Sequence, residues 1–339
     1  MRRLHFETLR PICPACRLRG QEVRLDLCAD AEDDAGVRAG VLLCRDGCGQ
    51  AYPILGGTPI LVPDLAGWLS ANLHLVLQSG IESEAAEAAI GAVTGPDSAF
   101  NIVRQQQSSY GHGHFGDLSH GDIDGVGDSS PGLGSVLACL DAAVTRLKQS
   151  EGPTLDIGCA VGGSTFRLAA STSAPVLGID VNWPLLKVGR TALDHGIVTY
   201  PLRQGGTRYE RRSAPANFPG SERVDFWIAD ALAPPFASGT FGRAVGLNIL
   251  DCVADPQRLI AELARILRIG GGYALATPFD WASHATPPAQ WIEGPAEVTR
   301  HLAAQNLSGD APVTLAWHLR LHAQATMTYW CILFTGRKA

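Results

Sequence analysis

The chain has 339 residues and a formal net charge of −6, with a sequence pI of about 5.9, and this acidic balance argues against a large nucleic-acid-binding surface. Hydrophobic residues make up 46% of the sequence and charged residues 18%, so the chain can bury a core and is not disordered. The sequence has no apolar run of about 18 residues and no signal-peptide core near its first residues, so we expect a cytoplasmic protein with no membrane partner.

Cysteines dominate the first 50 residues, which hold five of the nine in the chain. In a cytoplasmic protein this favours metal binding or free thiols over disulfides. The pairs Cys13/Cys16 and Cys44/Cys48 have the spacing of a four-thiolate zinc site, and such a site is structural because it has no open position. Buried free cysteines are the alternative. Cys28 is either a small buried side chain or a substitute for Cys44 or Cys48.

The residues after the second pair extend this pattern. Tyr52-Pro53-Ile54 is followed by two glycines and by the hydrophobic run Ile60-Leu61-Val62. Together with the cysteine pairs, this resembles the small zinc-ribbon proteins that act as activator subunits for methyltransferases. The resemblance implies a zinc-ribbon module over residues 1–63 and a structural Zn²⁺ ion bound by Cys13, Cys16, Cys44 and Cys48. It also implies that this module can contact a protein partner or form a homodimer.

Residues 64–133 are predicted to connect the module to the rest of the chain and to cap the substrate side. Residues 64–93 have the apolar spacing of amphipathic helices. Residues 111–134 are rich in glycine, aspartate, serine and histidine, which favours a loop. Residues 133–147 are predicted to form the helix that precedes the first strand of the next domain.

The stretch from Thr154 to Asn182 predicts half of a nucleotide-binding α/β unit. A buried strand at 154–157 leads into a glycine-rich turn, a helix at 164–170 and a second buried strand that ends at Asp180. Asp156 precedes the first glycine, where a carboxylate would repel a phosphate and favour a cation such as the amino group of a methionine moiety. Asp180 is placed to accept both ribose hydroxyls of an adenosine. A doubly wound domain whose glycine turn binds no ligand is the alternative.

Further strands and helices are predicted in order along the chain. The residues between 202 and 223 carry five arginines and are predicted as a solvated loop, with a lid that grips a carboxylate or phosphate as the alternative. Three glycines at 270–272 are expected to stop the helix before the fifth strand. The predicted elements are strands at 224–229, 241–247 and 273–277, a helix at 255–267, and a C-terminal hairpin of strands at 319–327 and 329–335.

These motifs resemble those of the class I S-adenosylmethionine (SAM) methyltransferases over residues 134–338. The resemblance implies an α/β, Rossmann-like domain at 134–339, with a seven-stranded, mostly parallel sheet and a C-terminal β-hairpin. It implies Asp156 and Gly158 near the methionine part of SAM, Asp180 at the ribose and Asp230 at the adenine. The full predicted SAM-binding set is Asp156, Gly158, Cys159, Ala160, Gly162, Asp180, Val181, Asp230, Ala231 and Asn248.

Four segments resemble the C-terminal methyltransferase domain of ovothiol synthases, which methylates an imidazole nitrogen of a mercaptohistidine. They begin at Tyr110, Leu155, Asn248 and Thr277. This chain departs from that pattern at Phe115, Cys252, Phe279 and Glu293, so the resemblance implies a small, histidine-like or thiol-containing acceptor without fixing its identity. The predicted catalytic residues are His114, Tyr110, Asn248, Asp251 and Trp281.

Two other functions fit the sequence. An RNA or protein methyltransferase could use the zinc module to recognise its substrate, although the acidic pI and the lack of a basic cluster near the cysteines argue against nucleic acid. A non-enzymatic scaffold is the third interpretation, and the intact acidic positions 156, 180 and 230 argue against it.

Overall fold

The computed structural model describes residues 1–78, 84–119, 134–147 and 151–339. No helix in these ranges is long and apolar enough to cross a bilayer. The helices are α1 Arg3–Leu9, α2 Pro14–Arg17, α3 Leu65–Gln78, α4 Glu84–Thr94, α5 Ala99–Phe115, α6 Ser135–Arg146, α7 Gly163–Ala169, α8 Trp183–His195, α9 Pro256–Ile266 and α10 Pro295–Ala304. The strands are β1 Asp26–Asp33, β2 Gly36–Leu43, β3 Ala51–Leu55, β4 Thr58–Leu61, β5 Thr154–Ile157, β6 Val176–Asp180, β7 Ile197–Gly205, β8 Arg208–Pro215, β9 Val224–Ala229, β10 Phe241–Leu247, β11 Leu267–Thr277, β12 Leu307–Gly309, β13 Val313–His322 and β14 Ala325–Lys338.

A doubly wound sheet forms the centre of the fold. Its strands run in the order β9-β6-β5-β10-β11-β14, and β13 pairs with β14. The first five are parallel, whereas β14 is antiparallel to β11. Strands β5 and β9 are buried along their whole length, as expected for parallel strands covered by helices on both faces. The predicted α/β, Rossmann-like fold with a C-terminal hairpin is confirmed.

The N-terminal strands extend this sheet. β1, β2, β3 and β4 pair antiparallel in succession, and β4 then pairs in parallel with β9 through Ile60 opposite Ile228 and Leu61 opposite Ala229. The result is one twelve-stranded sheet. The three-part division at residues 63 and 133 stays a prediction, and the sheet continues across the first of these boundaries.

Buried charges also join the two parts of the chain. Asp225 on β9 is fully buried and accepts from Arg190 Nη1 at 2.8 Å and from the Arg2 backbone N–H at 2.7 Å. Burial alone would raise the pKa of Asp225, but the Met1 amino group and Arg190 lower it to about 2. Arg17, beside the first cysteine pair, pairs with Glu262 of α9 at 2.6 Å. These contacts attach the N-terminal strands firmly to the central sheet.

Two predictions about the C-terminal half were wrong in detail. Helix α9 ends at Ile266 and β11 begins at the next residue, so Gly270, Gly271 and Gly272 lie within the strand and do not stop the helix. The pairing shifts there, between Phe241–Leu267 and Arg243–Gly272, which makes the glycine segment an irregularity in β11. The hairpin turns at residues 323–324, not near 328, because β13 ends at His322 and β14 already begins at Ala325. Strand β13 also starts before, and β14 ends after, the predicted strands.

Two predicted loops are regular structure. Residues 111–115 belong to α5, where Gly111 lets the helix approach β7: a Cβ there would lie 2.5 Å from the Tyr200 ring. Residues 202–215 belong to the antiparallel pair β7–β8, which packs on α5 through the bond from the Arg203 N–H to Ser108 Oγ at 2.8 Å. The predicted loop at 120–133 and the predicted helix start at 133 lie outside the described residues.

Candidate active site

The turn after β5 is held in a tight conformation. Gly158 and Gly162 have φ values of +72° and +88°, which favour glycine. A Cβ on Gly162 would lie 2.6 Å from the Phe226 ring. Cys159 is buried, its N–H donates to Ile179 O at 3.0 Å and its carbonyl accepts from the Gly162 N–H at 2.8 Å. The turn therefore brings its backbone close to the end of β6.

Asp156 ties the end of β5 to the start of α7. Its Oδ2 accepts from Ser164 Oγ at 2.6 Å and from Thr165 Oγ1 at 2.7 Å. Burial raises the pKa of Asp156 to about 6, although the two hydroxyl bonds lower it in part. This side chain thus stabilises the helix start, and its predicted position near a methionine moiety stays a prediction.

Asp180 lies at the end of β6, half-buried, with both carboxylate oxygens hydrogen-bonded. Oδ2 accepts from the Ala160 N–H at 2.9 Å and Oδ1 from the Asn182 N–H at 2.8 Å. Burial raises the pKa of Asp180 and these backbone bonds lower it in part. A carboxylate oxygen can accept two bonds, and the Val181 N–H also lowers this pKa, so the carboxylate retains acceptor capacity for an incoming hydroxyl.

Val181 and Asp230 line a cavity of about 440 Å³ at the ends of β6 and β9. Asp230 Oδ1 accepts from the Leu232 N–H at 2.8 Å, and Ala231 between them is half-buried. The opposite wall comes from N-terminal residues that the sequence did not point to. Trp68 Nε1 donates to Val181 O at 3.1 Å, and Leu18 follows the first cysteine pair. The cavity suits an adenine ring in volume and position.

Asn248 and Asp251 follow β10. The Asn248 N–H donates to Ala276 O at 2.9 Å, and within the described chain its buried Oδ1 has no hydrogen-bond partner. Asp251 is almost fully buried, its Oδ2 accepts from the Asp280 N–H at 2.8 Å, and burial raises the pKa of its carboxyl. A buried amide oxygen without a donor is costly, which marks Asn248 as a position where a bound donor would be stabilised.

A cluster of acidic and hydroxyl groups meets beside Asp180; we call it the acidic cleft. Burial raises the pKa of Tyr110 far above its ordinary value, and neighbouring acidic groups raise it further. Burial and a hydrogen bond with Asp280 raise the pKa of Tyr329 to about 12. Burial and three nearby carboxylates likewise raise that of Cys252 to about 12. The cleft comprises Tyr110, Asp180, Asp251, Cys252, Asp280 and Tyr329.

Three members of the acidic cleft lie outside both the predicted catalytic set and the predicted SAM-binding set. Cys252 and Asp280 follow β10 and β11, so the rule that ligands bind at the carboxyl ends of parallel strands could have pointed to them. Tyr329 lies on β14, and no signal in the sequence indicates that this strand reaches the cleft.

Trp281 belongs to an aromatic wall after β11. Its ring lies 6.4 Å from that of Trp291, nearly parallel at 17°, and 6.4 Å from that of Phe279 in an edge-on contact. Trp291 Nε1 donates to Thr286 O at 2.8 Å, which fixes the outer ring. The wall adjoins the acidic cleft through Asp280.

Three non-glycine residues with positive φ occur where strands end at this site. They are Ala160 (+48°), Asn248 (+54°) and Phe279 (+57°), after β5, β10 and β11. This conformation is uncommon for alanine and phenylalanine, and such strain concentrates at functional sites. The same edge of the sheet therefore carries both the predicted ligands and the strained backbone.

His114 lies away from the acidic cleft, against the start of α7. Its Nδ1 accepts from the Ser164 N–H at 3.3 Å, and burial lowers the pKa of the ring to about 3. The imidazole is therefore neutral near pH 7, with its proton on Nε2. The predicted catalytic role of His114 stays a prediction, and this tautomer restricts it to donation through Nε2.

The four predicted metal ligands come together. The sulfur atoms of Cys13, Cys16, Cys44 and Cys48 all lie within 4.8 Å of one another, with Cys13–Cys48 at 3.6 Å and Cys16–Cys44 at 3.7 Å. A tetrahedral zinc with bonds of about 2.3 Å separates its sulfurs by about 3.8 Å, so the cluster can hold zinc. Cys28 lies on β1 opposite Val41, outside the cluster.

Polar groups surround this cysteine cluster. Tyr52 Oη lies 3.2 Å from Cys13 Sγ, and Arg19 Nη2 donates to Cys16 Sγ at 3.3 Å. Burial acts to raise the pKa of Cys16, but the Arg19 guanidinium and neighbouring donors lower it to about 7. These donors favour the thiolate, the form that binds a metal, at Cys16, whereas burial raises the pKa values of Cys13 and Cys44.

Comparison with known proteins identifies the central domain. Residues 155–275 match the family model described as a methyltransferase domain. Methyltransferase GfsG of Streptomyces halstedii is 32% identical over 132 residues, which are 39% of this chain and 40% of that protein. Ajmaline N-methyltransferase of Rauvolfia serpentina is 21% identical over 47% of this chain and 48% of its own length. The C-terminal part of the chain thus contains a class I SAM-dependent methyltransferase domain.

The similarity covers only part of each protein. The chain spans about two fifths of the length of GfsG and of O-methyltransferase cnsE of Penicillium expansum, which is 30% identical over 39% of this chain. Among solved structures, geranyl diphosphate C-methyltransferase from Streptomyces coelicolor A3(2) has a TM-score of 0.47 at 15% identity, covering 72% of this chain and 99% of that one. That score is too low to support the fold, which rests on the strand order and the family match.

Proposed function

We propose that this protein is a SAM-dependent methyltransferase that acts on a nitrogen of a small molecule, such as an imidazole or a related group. The observation that carries the proposal is the acidic cleft beside Asp180. Carboxylates and hydroxyls attract acceptors that carry N–H groups or positive charge. The name of ajmaline N-methyltransferase supports a nitrogen acceptor, whereas that of O-methyltransferase cnsE names oxygen as the methylated atom.

The residues at the strand ends fit SAM. The free acceptor positions of Asp180 suit the two ribose hydroxyls, and the cavity between Val181 and Asp230 suits the adenine. Asn248 Oδ1 offers an acceptor to the methionine part. When bound, SAM supplies a methyl group on a positively charged sulfur, which the nearby carboxylates favour.

The chain's own groups would bind and orient the acceptor. Tyr110 and Tyr329 keep their protons near neutral pH because burial raises their pKa values, so both can donate hydrogen bonds. Asp251, whose raised pKa makes it a stronger base, can take up the proton that the acceptor nitrogen loses. Trp281 and Trp291 would exclude water from one side.

The cysteine cluster has a structural role in this proposal. Its four thiolates would hold zinc with no open position. The ion would fix the segment around Leu18, which lines the cavity proposed for adenine.

A labelling experiment tests the function. Purified protein is incubated with methyl-labelled SAM and a fractionated cell extract, and mass spectrometry locates the label. We expect label in a small nitrogen-containing metabolite, and none with Asp180→Ala. Label found only in RNA or in protein would overturn the small-molecule acceptor, and no transfer to any fraction would overturn the methyltransferase activity.

A further inference from the structure

A cavity of about 540 Å³ lies between α5, α8 and the β7–β8 pair, apart from the proposed SAM site. Helix α5 contributes to both places. Phe100, Val103 and Arg104 face this cavity, whereas Tyr110 reaches the acidic cleft. The volume falls within the range of about 300–1,000 Å³ typical of small-molecule sites.

The charges around the cavity are predominantly positive. The described residues that line it include three cationic side chains and one carboxylate, namely Arg104, Lys187, Arg211 and Glu87. The whole chain, by contrast, has a net charge of −6. Arg211 pairs with Glu87 at 3.1 Å. Arg104 is held over the Tyr209 ring, with its guanidinium carbon 4.0 Å from the ring centre. These contacts fix two of the cations at the cavity wall.

Lys187 differs from the other two cations. It is half-buried on α8, and within the described residues its ammonium group makes no hydrogen bond or ion pair. Burial lowers its pKa, and no carboxylate among the described residues opposes this shift. A half-buried ammonium gains from an anionic partner, and beside it Val188 and Pro184 offer an apolar surface.

We propose that this cavity binds a small amphipathic anion, with a carboxylate or phosphate on Lys187 and an apolar body against Phe100, Val103 and Val188. Arg211 of β8, one of the five arginines between residues 202 and 223, supplies part of the cavity wall. The site does not depend on methyl transfer, because it is separate from the acidic cleft and its binding is measurable without SAM.

Calorimetry with octanoate, octyl phosphate and the neutral octanol tests the proposal on the full chain. We expect one molecule of an anionic probe per chain, and at least about tenfold weaker binding to Lys187→Met. Octanol, which carries no charge, should bind the wild type and Lys187→Met with equal affinity. Comparing octanoate with octyl phosphate identifies the preferred head group. Arg300→Met, which removes an exposed cation elsewhere, should bind like the wild type.

Two further measurements make the test specific. Thr191→Trp places a large side chain in the cavity and should abolish binding of every probe. The chain has three lysines, so NMR of isotope-labelled lysine can follow Lys187, whose pKa should rise when octyl phosphate binds. Equal octyl phosphate affinity in wild type and Lys187→Met, or no binding to the wild type, would overturn the proposal.

Discussion

Asp180 illustrates how one side chain can serve both the fold and the ligand. Its two oxygens hold the Ala160 and Asn182 N–H groups, which fixes the turns after β5 and β6. In the proposed complex, the remaining acceptor capacity of the carboxylate would take ribose hydroxyls. Replacing Asp180 therefore affects the ligand directly and the turns indirectly, and a test must separate the two effects.

Asp180→Asn keeps the size of the side chain but loses its charge and one acceptor. Since hydrogen bonds to a charged group contribute about 1.5–3 kcal/mol each, we expect SAM affinity by calorimetry to fall by about 10- to 100-fold, and Asp180→Ala to abolish binding. Asp141→Asn, which changes an exposed carboxylate paired with Arg167, is the control. Unchanged affinity in Asp180→Asn would disprove the ribose assignment.

Tyr110→Phe removes the hydroxyl group from the acidic cleft. Because the pKa of Tyr110 is raised far above its ordinary value, the hydroxyl stays protonated and acts as a donor throughout the working pH range. We expect kcat to fall by about tenfold with no change in SAM affinity or in the shape of the pH profile. Tyr209→Phe, whose hydroxyl bonds Asn101 O, should retain full activity. A pH profile that changed shape would show that Tyr110 titrates in turnover.

At the level of elements, the turn between β5 and α7 has no room for a side chain at Gly162. Gly162→Ala combines an unfavourable positive φ with a Cβ 2.6 Å from the Phe226 ring, so we expect a loss of about 2–4 kcal/mol of unfolding free energy. Gly196→Ala has a similar φ of +68° and open space around the Cβ, so it should lose only about 1 kcal/mol. Urea unfolding of both variants measures the difference, and equal losses would contradict the packing argument.

The cysteine cluster makes a prediction about metal content. Elemental analysis should find about one zinc per chain, and Cys16→Ser should lose it. Cys28→Ser is the matched control, since Cys28 lies outside the cluster, and it should retain the metal. Equal zinc in Cys16→Ser and in the wild type would show that the metal binds elsewhere.

The sequence predicted those elements whose burial is uniform. The bounds of β5, β9 and β10 were predicted to the residue because each is a short, mostly apolar segment followed by glycine or a polar residue. The extension of α5 through Gly111 and Gly113 was not predictable, because close packing against Tyr200 of β7 makes glycine acceptable at position 111. Local composition favoured a loop, and tertiary contacts overrode it.

The site was predictable to a similar extent. Residues that follow strands, such as Asp180 and Asp230, could be placed from the rule on strand ends. Trp68 and Leu18 contribute to the proposed adenine cavity, and Tyr329 contributes to the acidic cleft. These contributions depend on which distant helices and strands meet in the fold. That information is absent from local patterns.

Considered as a whole, the molecule joins its N-terminal strands to the central sheet by hydrogen bonds and by buried charge. The β4–β9 pairing continues the sheet, and the Arg190–Asp225 pair lies beneath this junction. The free energy of unfolding should therefore respond to the protonation of Asp225. Asp156, buried within β5, responds in the opposite sense, because folding raises its pKa.

The two acids contribute opposite dependences of stability on pH, and the buried His114, with a folded pKa of about 3, adds a loss as pH falls below about 6.5. Asp156 has a folded pKa of about 6, so the folded protein takes up its proton first and gains on the order of 2–3 kcal/mol as pH falls from 7 to about 4. Asp225, lowered to about 2, contributes stability above about pH 4 that is lost as pH falls towards 2. Urea unfolding from pH 7 to 3 measures the sum of these contributions, and comparison with single variants isolates the rise due to Asp156 and the fall due to Asp225. Asp156→Asn should reduce the rise, although the raised pKa values of Asp180 and Asp251 leave part of it, and Asp225→Asn should flatten the fall. A rise as large in Asp156→Asn as in the wild type would contradict the assignment of Asp156.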